Sequence, residues 1–207
     1  MAHAHTDHAP IEYNDPQFGK ASPGKIGMWL FLVTDAMSFS GFLIAYAVLR
    51  ATSPSWPVPS QALGGVGLSG FMTFLLICSS VSMVLTIDAC KQRNRKAMLN
   101  WLLFTIFGGA SFLGIQVYEY IHLIGHLGMG FSTYAHGTSL FSSTFFSITG
   151  FHGLHVFSGV VYLIVMYIQA YRGDFDNGDY NMLEIAGLFW HFVDLVWILV
   201  FTFVYLL

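Results

Sequence analysis

Five apolar runs, each near the ~20 residues a helix needs to cross a bilayer, dominate this 207-residue chain. They fall at about 26–49, 64–88, 98–122, 139–170 and 183–206. Between the first two, "SPSWPVPS" (53–60) interposes three prolines, while "KQRNRK" and "RGDFDNGDYN" follow the second and fourth. A bilayer interior admits only helices or closed barrels, and runs of this length are helices. The pattern therefore predicts an all-α membrane protein, a bundle of five transmembrane helices in one domain spanning 26–207. Residues 1–25, rich in Pro, Gly and His, are expected as a solvated polar tail. The first run begins after that tail and exceeds the ~7–15 residues of a signal-peptide core, so it is expected to remain in the mature protein. The fourth run exceeds what a perpendicular crossing requires and should tilt or project.

Composition agrees. Only 9% of residues are charged and 55% are hydrophobic, whereas soluble domains carry about 25% charged residues. A net charge of −3 offers no basic excess for nucleic acid. Cys78 and Cys90 have neither metal-ligand spacing nor a disulfide framework. His3, His5 and His8 in the tail could hold a metal adventitiously. With five crossings, Lys20, Lys25, Lys91, Arg93, Arg95, Lys96 and Arg172 share one side and Arg50 stands on the other. The positive-inside rule then places the N-terminus in the cytoplasm and the C-terminus outside. Gly108, Gly109, Ala110, Ser111 and Gly114 in the third run, with Gly150, Gly153 and Gly159 in the fourth, would let helix backbones approach closely.

The apolar runs nevertheless carry Asp35, Glu119, His122, His152, His155, His191 and Asp194, with Asp88 and Glu184 nearer the ends. Each buried charge costs about 2.5–3.5 kcal/mol on insertion scales, so such groups face protein, pair, or mark a pathway. Glu119–His122, His152–His155 and His191–Asp194 are each three apart, hence on one helical face. A carboxylate-bridged di-iron bundle needs two Glu-x-x-His motifs, and one is present. A haem held between His152 and His191 stays open on spacing alone. The alternative is interhelical hydrogen bonding. Asp35 and His191 both lie ~12–14 Å deep at ~1.5 Å per residue, so they meet if the first and fifth runs touch. The fourth-run histidines meet Glu119 and His122 if that helix projects outside. A transporter normally shows inverted repeats or broken helices, and Pro is absent from all five runs. A transporter, a membrane enzyme and a non-catalytic subunit of a complex all remain open on these residues.

Five stretches together narrow the choice. "GKIGMWLFLVTDAMSFSGFLIAYAVLR" (24–50), "RKAMLNWLLFT" (95–105), "IQVYEYIHL" (115–123), "SSTFFSITGFHGLHVFSG" (142–159) and "EIAGLFWHFVDLVWILVFTFVYLL" (184–207) resemble, in order and spacing, the subunit III family of haem–copper terminal oxidases. The resemblance implies a subunit of an oxidoreductase and proton translocase in aerobic respiratory electron transport. It implies no catalytic residue, metal, haem or copper on this chain, those centres belonging to partner subunits I and II. It also implies a multi-pass protein of the bacterial inner (plasma) membrane that sustains proton uptake and stability of subunit I. Bound phospholipid, a small subunit IV and a respiratory supercomplex fit the same expectation; nucleic acid does not. Asp35 matches the family's carbodiimide-reactive intramembrane carboxylate, more often Glu, and so implies proton-uptake support. Glu119, His152, His155, Glu184, His191 and Asp194 match motif positions as structural or interface groups.

Departures stand beside the match. Mitochondrial-type members have seven helices, and this chain resembles the last five. The family's Trp-Ala-His-His run in the second segment reads Leu85, Thr86, Ile87, Asp88 here. The five-helix length, the His-rich tail and Asp35 are similar to subunit III of bacterial quinol oxidases, whereas "IQVYEY" and "SSTFFSITGFHGLHV" favour cytochrome c oxidases. Homologues beside nitric oxide reductases and a small transporter are the remaining alternatives.

Overall fold

The computed structural model describes residues 21–63, 65–131 and 138–207. The expected tail, with His3, His5 and His8, lies outside the described residues up to position 20. The elements are α1 (Pro23–Thr52), a short α2 (Pro59–Ala62), α3 (Gly67–Lys91), α4 (Arg95–Leu127), α5 (Ser139–Arg172) and α6 (Asn181–Val200), which runs on into a π-helical turn, Phe201–Leu206. Five of these helices are long and apolar enough to cross a membrane, and no strand occurs among the described residues.

Local chemistry sets the helix ends. Pro23 opens α1, where its missing N–H costs nothing, and the Ser22 hydroxyl accepts a hydrogen bond from the Lys25 amide. The Asn94 side chain caps α4 by accepting from the Ala97 amide at 3.2 Å. Gly128 and Gly173 close α4 and α5 in the left-handed region, with φ of 59° and 96°, where a glycine has no Cβ to strain. The three prolines of "SPSWPVPS" do not leave plain loop: Pro59 starts the short α2. α3 begins at Gly67 and ends at Lys91, three residues later at each end than the apolar run.

The four helices α3, α4, α5 and α6 close a ring, each touching the next and α6 touching α3. α1 lies outside, in the groove between α5 and α6. The central helix is α6, with half of its membrane window buried against 22% for α1. α4 has 33 residues and α5 has 34; at ~1.5 Å per residue each is ~50 Å long. The hydrocarbon core is ~30 Å thick. From the short connection after Lys91, α4 with 33 residues outruns α3 with 25, so the α4–α5 hairpin extends past the start of α3 at the end opposite the start of α1, the far end hereafter.

Close approach in the ring centres on one indole. Trp190 of α6 lies between Gly109 of α4 and Gly159 of α5: a Cβ on Gly159 would stand 3.0 Å from its ring, and one on Gly109 would collide with it and stand 2.7 Å from Val160 Cγ2. Gly108 admits Ser79 of α3, and Gly153 admits Gln116 of α4, which donates to the Thr149 carbonyl at 2.9 Å. Gly114 admits nothing: its Cβ would meet open space. The expected small-residue seam is thus real at Gly108, Gly109, Gly153 and Gly159 and does not extend to Gly114.

Candidate functional site

Asp35, Glu119, His191 and Asp194 join helices inside the bundle, in pairings the sequence did not fully anticipate. Asp35 (α1) does not meet His191. The two helices touch, with the Phe31 and Phe189 rings 6.1 Å apart, but the Asp35 face turns towards α5. There Oδ1 stands 3.1 Å from His155 Nε2. The other ring nitrogen, Nδ1, donates to the Phe151 carbonyl at 2.8 Å. A carbonyl only accepts, so Nδ1 must carry hydrogen. One further proton then lies between Nε2 and Oδ1, held either as imidazolium and carboxylate or as a neutral imidazole and carboxylic acid. The second carboxyl oxygen, Oδ2, is buried without a partner among the described residues. The pair is a buried place where one proton can reside and move by the length of one hydrogen bond.

His152, one turn before His155, is fully buried, and neither ring nitrogen has a partner among the described residues. Its ring sits among Trp197 at 5.0 Å, Phe112 at 5.8 Å and Phe39 at 6.2 Å between centroids. It fills the junction of α1, α4, α5 and α6 as an aromatic disc. The expected approach of the α5 histidines to Glu119 and His122 does not occur. They sit a helical turn or more too far into the bundle, and Glu119, itself buried, accepts instead from the Tyr205 hydroxyl at 3.0 Å. The π-helical turn carries Tyr205, and such a widened turn often re-aims side chains. His122 is exposed on the last turns of α4.

His191 and Asp194 tie α6 to α3. His191 Nδ1 lies 2.6 Å from the Ser80 hydroxyl, which also interacts with Asp194. Two indoles extend the seam: Trp190 donates to Ser79 at 3.1 Å and Trp197 to Thr73 at 2.9 Å. The helices are antiparallel, so positions rise along α6 as they fall along α3. In sequence these tryptophans do not stand out as polar anchors, because their bulk reads as apolar. The signal was their seven-residue spacing opposite hydroxyls six apart in α3. At the α1 end, Glu184 forms ion pairs with Lys25 and Lys91, the latter at 3.7 Å, and Ser22 donates to the Asn181 side chain at 2.9 Å. Glu184 thus gathers α1, α3 and α6 at one point. Arg95 likewise clasps the last turn of α5 through the Tyr171 carbonyl and the loop after it through Asp176.

Comparison with known proteins gives this arrangement a context. Residues 20–207 match the family described as cytochrome c oxidase subunit III. A cytochrome c oxidase subunit 3 of Alkalihalophilus pseudofirmus is 37% identical over 182 residues, covering 88% of this chain and 85% of the relative. A quinol oxidase subunit 3 of Bacillus spizizenii is 32% identical over 209 residues, covering 100% of this chain and 98% of the relative. A cytochrome bo(3) ubiquinol oxidase subunit 3 of Pseudomonas putida is 33% identical, covering 88% of this chain and 84% of the relative. With five membrane-crossing helices and relatives of this kind, the chain is a multi-pass protein of the bacterial inner membrane. It belongs to the cytochrome c oxidase subunit III family of the haem–copper oxidases.

Proposed function

We propose that this chain is the non-catalytic subunit III of a proton-pumping haem–copper terminal oxidase, with cytochrome c as the electron donor to the complex. It braces subunit I and supports its proton uptake, while haem and copper reside on subunits I and II. The family match over residues 20–207 carries this reading. The interior chemistry supports it: Asp35, Glu119 and His191 are engaged by side chains of neighbouring helices, and His152 is enclosed by aromatic rings. The N-terminal end faces the cytoplasm in this reading, since Lys25, Lys91, Arg93, Arg95, Lys96 and Arg172 gather there and Arg50 alone of the described Lys and Arg lies at the far end.

Asp35 and His155 are the pair through which the chain would act on protons, holding one in the membrane interior for a neighbouring uptake path. Glu119, His152, Glu184, His191 and Asp194 hold the helices or the interface in register. Purification in mild detergent should bring down a haem-bearing partner, and the chain freed of that partner should be colourless. Tight stoichiometric haem on the isolated chain would overturn the reading.

A quinol oxidase setting is the second reading, favoured by the Bacillus spizizenii relative that spans the whole chain. The partner subunit II decides between them: copper ligands there indicate cytochrome c, and their absence indicates quinol. Lipids bound against the bundle, a small subunit IV and a supercomplex extend the same proposal.

A further inference from the structure

At the far end, the last turns of α4 carry a feature that the oxidase reading does not use. His122 and His126, four apart and both exposed, project from one face of the helix. Their ring centroids stand 4.9 Å apart with the planes inclined by 35°. Neither ring has a hydrogen-bond partner among the described residues, and Tyr118 stacks on His122 at 6.4 Å between centroids. Two histidines at this spacing on one helical face are a zinc-chelating arrangement. A tetrahedral metal bound ~2.0–2.1 Å from one nitrogen of each ring sets the two centroids about 5 Å apart. The observed separation matches that spacing.

The surroundings suit a cation. A cavity of about 300 Å³ adjoins His122, lined also by Tyr118 and Glu119 together with Leu63, Leu68 and Leu123. Glu119, whose carboxylate accepts from Tyr205, is one of its lining residues. Water occupies ~30 Å³ per molecule in the liquid, so the cavity has room for the water ligands of a partly hydrated metal. Among the described residues no three His, Cys, Asp or Glu side chains converge as a metal site, so the protein would supply two nitrogens and water the rest. Such a site is exchangeable, unlike a closed structural one. It also lies on the projecting part of α4, where a hydrated ion has access.

We propose that His122 and His126 form a surface site for a divalent transition metal of the zinc type, clamping the final turn of α4. The probe is Zn²⁺ added to the full chain in detergent micelles and followed by isothermal titration. His3, His5 and His8 are replaced by Gln throughout, so that the tail contributes no ligand. One Zn²⁺ per chain is expected. His126→Gln and His122→Gln should each weaken it by about tenfold or more, since even an outer-shell group is worth ~10–100-fold in metal affinity. Both positions are exposed, so these variants should keep the parent's helical circular dichroism. Absence of binding to the parent, or undiminished binding to both variants, would overturn the proposal.

Discussion

Replacing Gly109 with Ala adds one methyl group, and its neighbours decide the outcome. The new Cβ would stand 2.7 Å from Val160 Cγ2 and closer still to the Trp190 ring. The indole has little room to yield: the neighbouring edge of its six-membered ring faces Gly159, and its Nε1 is tied to Ser79. Overpacking a well-filled interior costs ~1–3 kcal/mol. Two stiff neighbours put this case near ~3 kcal/mol. Alanine is better than glycine within a helix by ~1 kcal/mol, leaving a net loss of ~2 kcal/mol. That is about thirtyfold in the ratio of folded to unfolded chain. Gly114 on the same helix faces open space, so Gly114→Ala should gain up to ~1 kcal/mol from the helix term alone. The assay is unfolding of the purified chain by titrating a denaturing detergent into micelles, read by tryptophan fluorescence. The two variants should shift the midpoint in opposite directions. Equal shifts, or stabilisation by Gly109→Ala, would refute the claim that the Trp190 slot is filled.

Other substitutions probe the polar joints. Trp197→Phe removes the donor to Thr73, and a double-mutant cycle with Thr73→Val should yield a coupling of ~0.6 kcal/mol, with ~1.7 as the ceiling. Glu184→Gln dissolves both ion pairs at the α1 end. The loss should be at most ~1 kcal/mol, and the difference from the parent chain should shrink as salt is raised. His191→Ala and Asp194→Ala should loosen the chain from its complex while leaving haem spectra unchanged, as subunit stoichiometry after detergent extraction would report. Asp35→Ala should assemble yet lose oxidase activity faster under sustained turnover; an unchanged inactivation rate in the assembled variant would contradict its role in proton uptake.

The sequence disclosed much of the architecture because hydropathy and helix length are local properties. The run at 98–122 lies within a helix running from Arg95 to Leu127, and charged or Pro-rich stretches separate the spans. Partner choice was less legible because it depends on helix rotation. Asp35 and His191 have compatible depths and touching helices, yet a turn of α1 about its axis sends the carboxylate to His155 instead. Depth along the helices places Glu119 beside the histidines of α5, but its partner is a tyrosine on a π-helical turn. No pattern of apolar residues announces that turn. Trp190 and Trp197 carried their information in two properties at once. The bulk of Trp190 explains Gly109 and Gly159, and the N–H groups of both indoles explain hydroxyls at Ser79 and Thr73.

α1 shows why these polar joints matter more here than in a soluble bundle. It exposes Trp29, Leu30, Val33, Met37, Ile44 and Val48, and lipid tails solvate such side chains as well as a protein neighbour does. Burial of apolar surface therefore gives little drive for α1 to dock on α5 and α6. Close packing contributes something, as where the rings of Phe39 and Phe151 stand 5.1 Å apart. The remaining specificity comes from the Glu184 ion pairs and Ser22–Asn181 at one end and from Asp35–His155 deeper in. An unpaired carboxyl at that depth would be costly, so Asp35 penalises every rotation of α1 that separates it from His155. The residue placed to hold a proton is then also the one that fixes the angle of its helix. Because the Asp35–His155 contact needs the one proton between Nε2 and Oδ1, protonation of this pair is coupled to how firmly α1 is held.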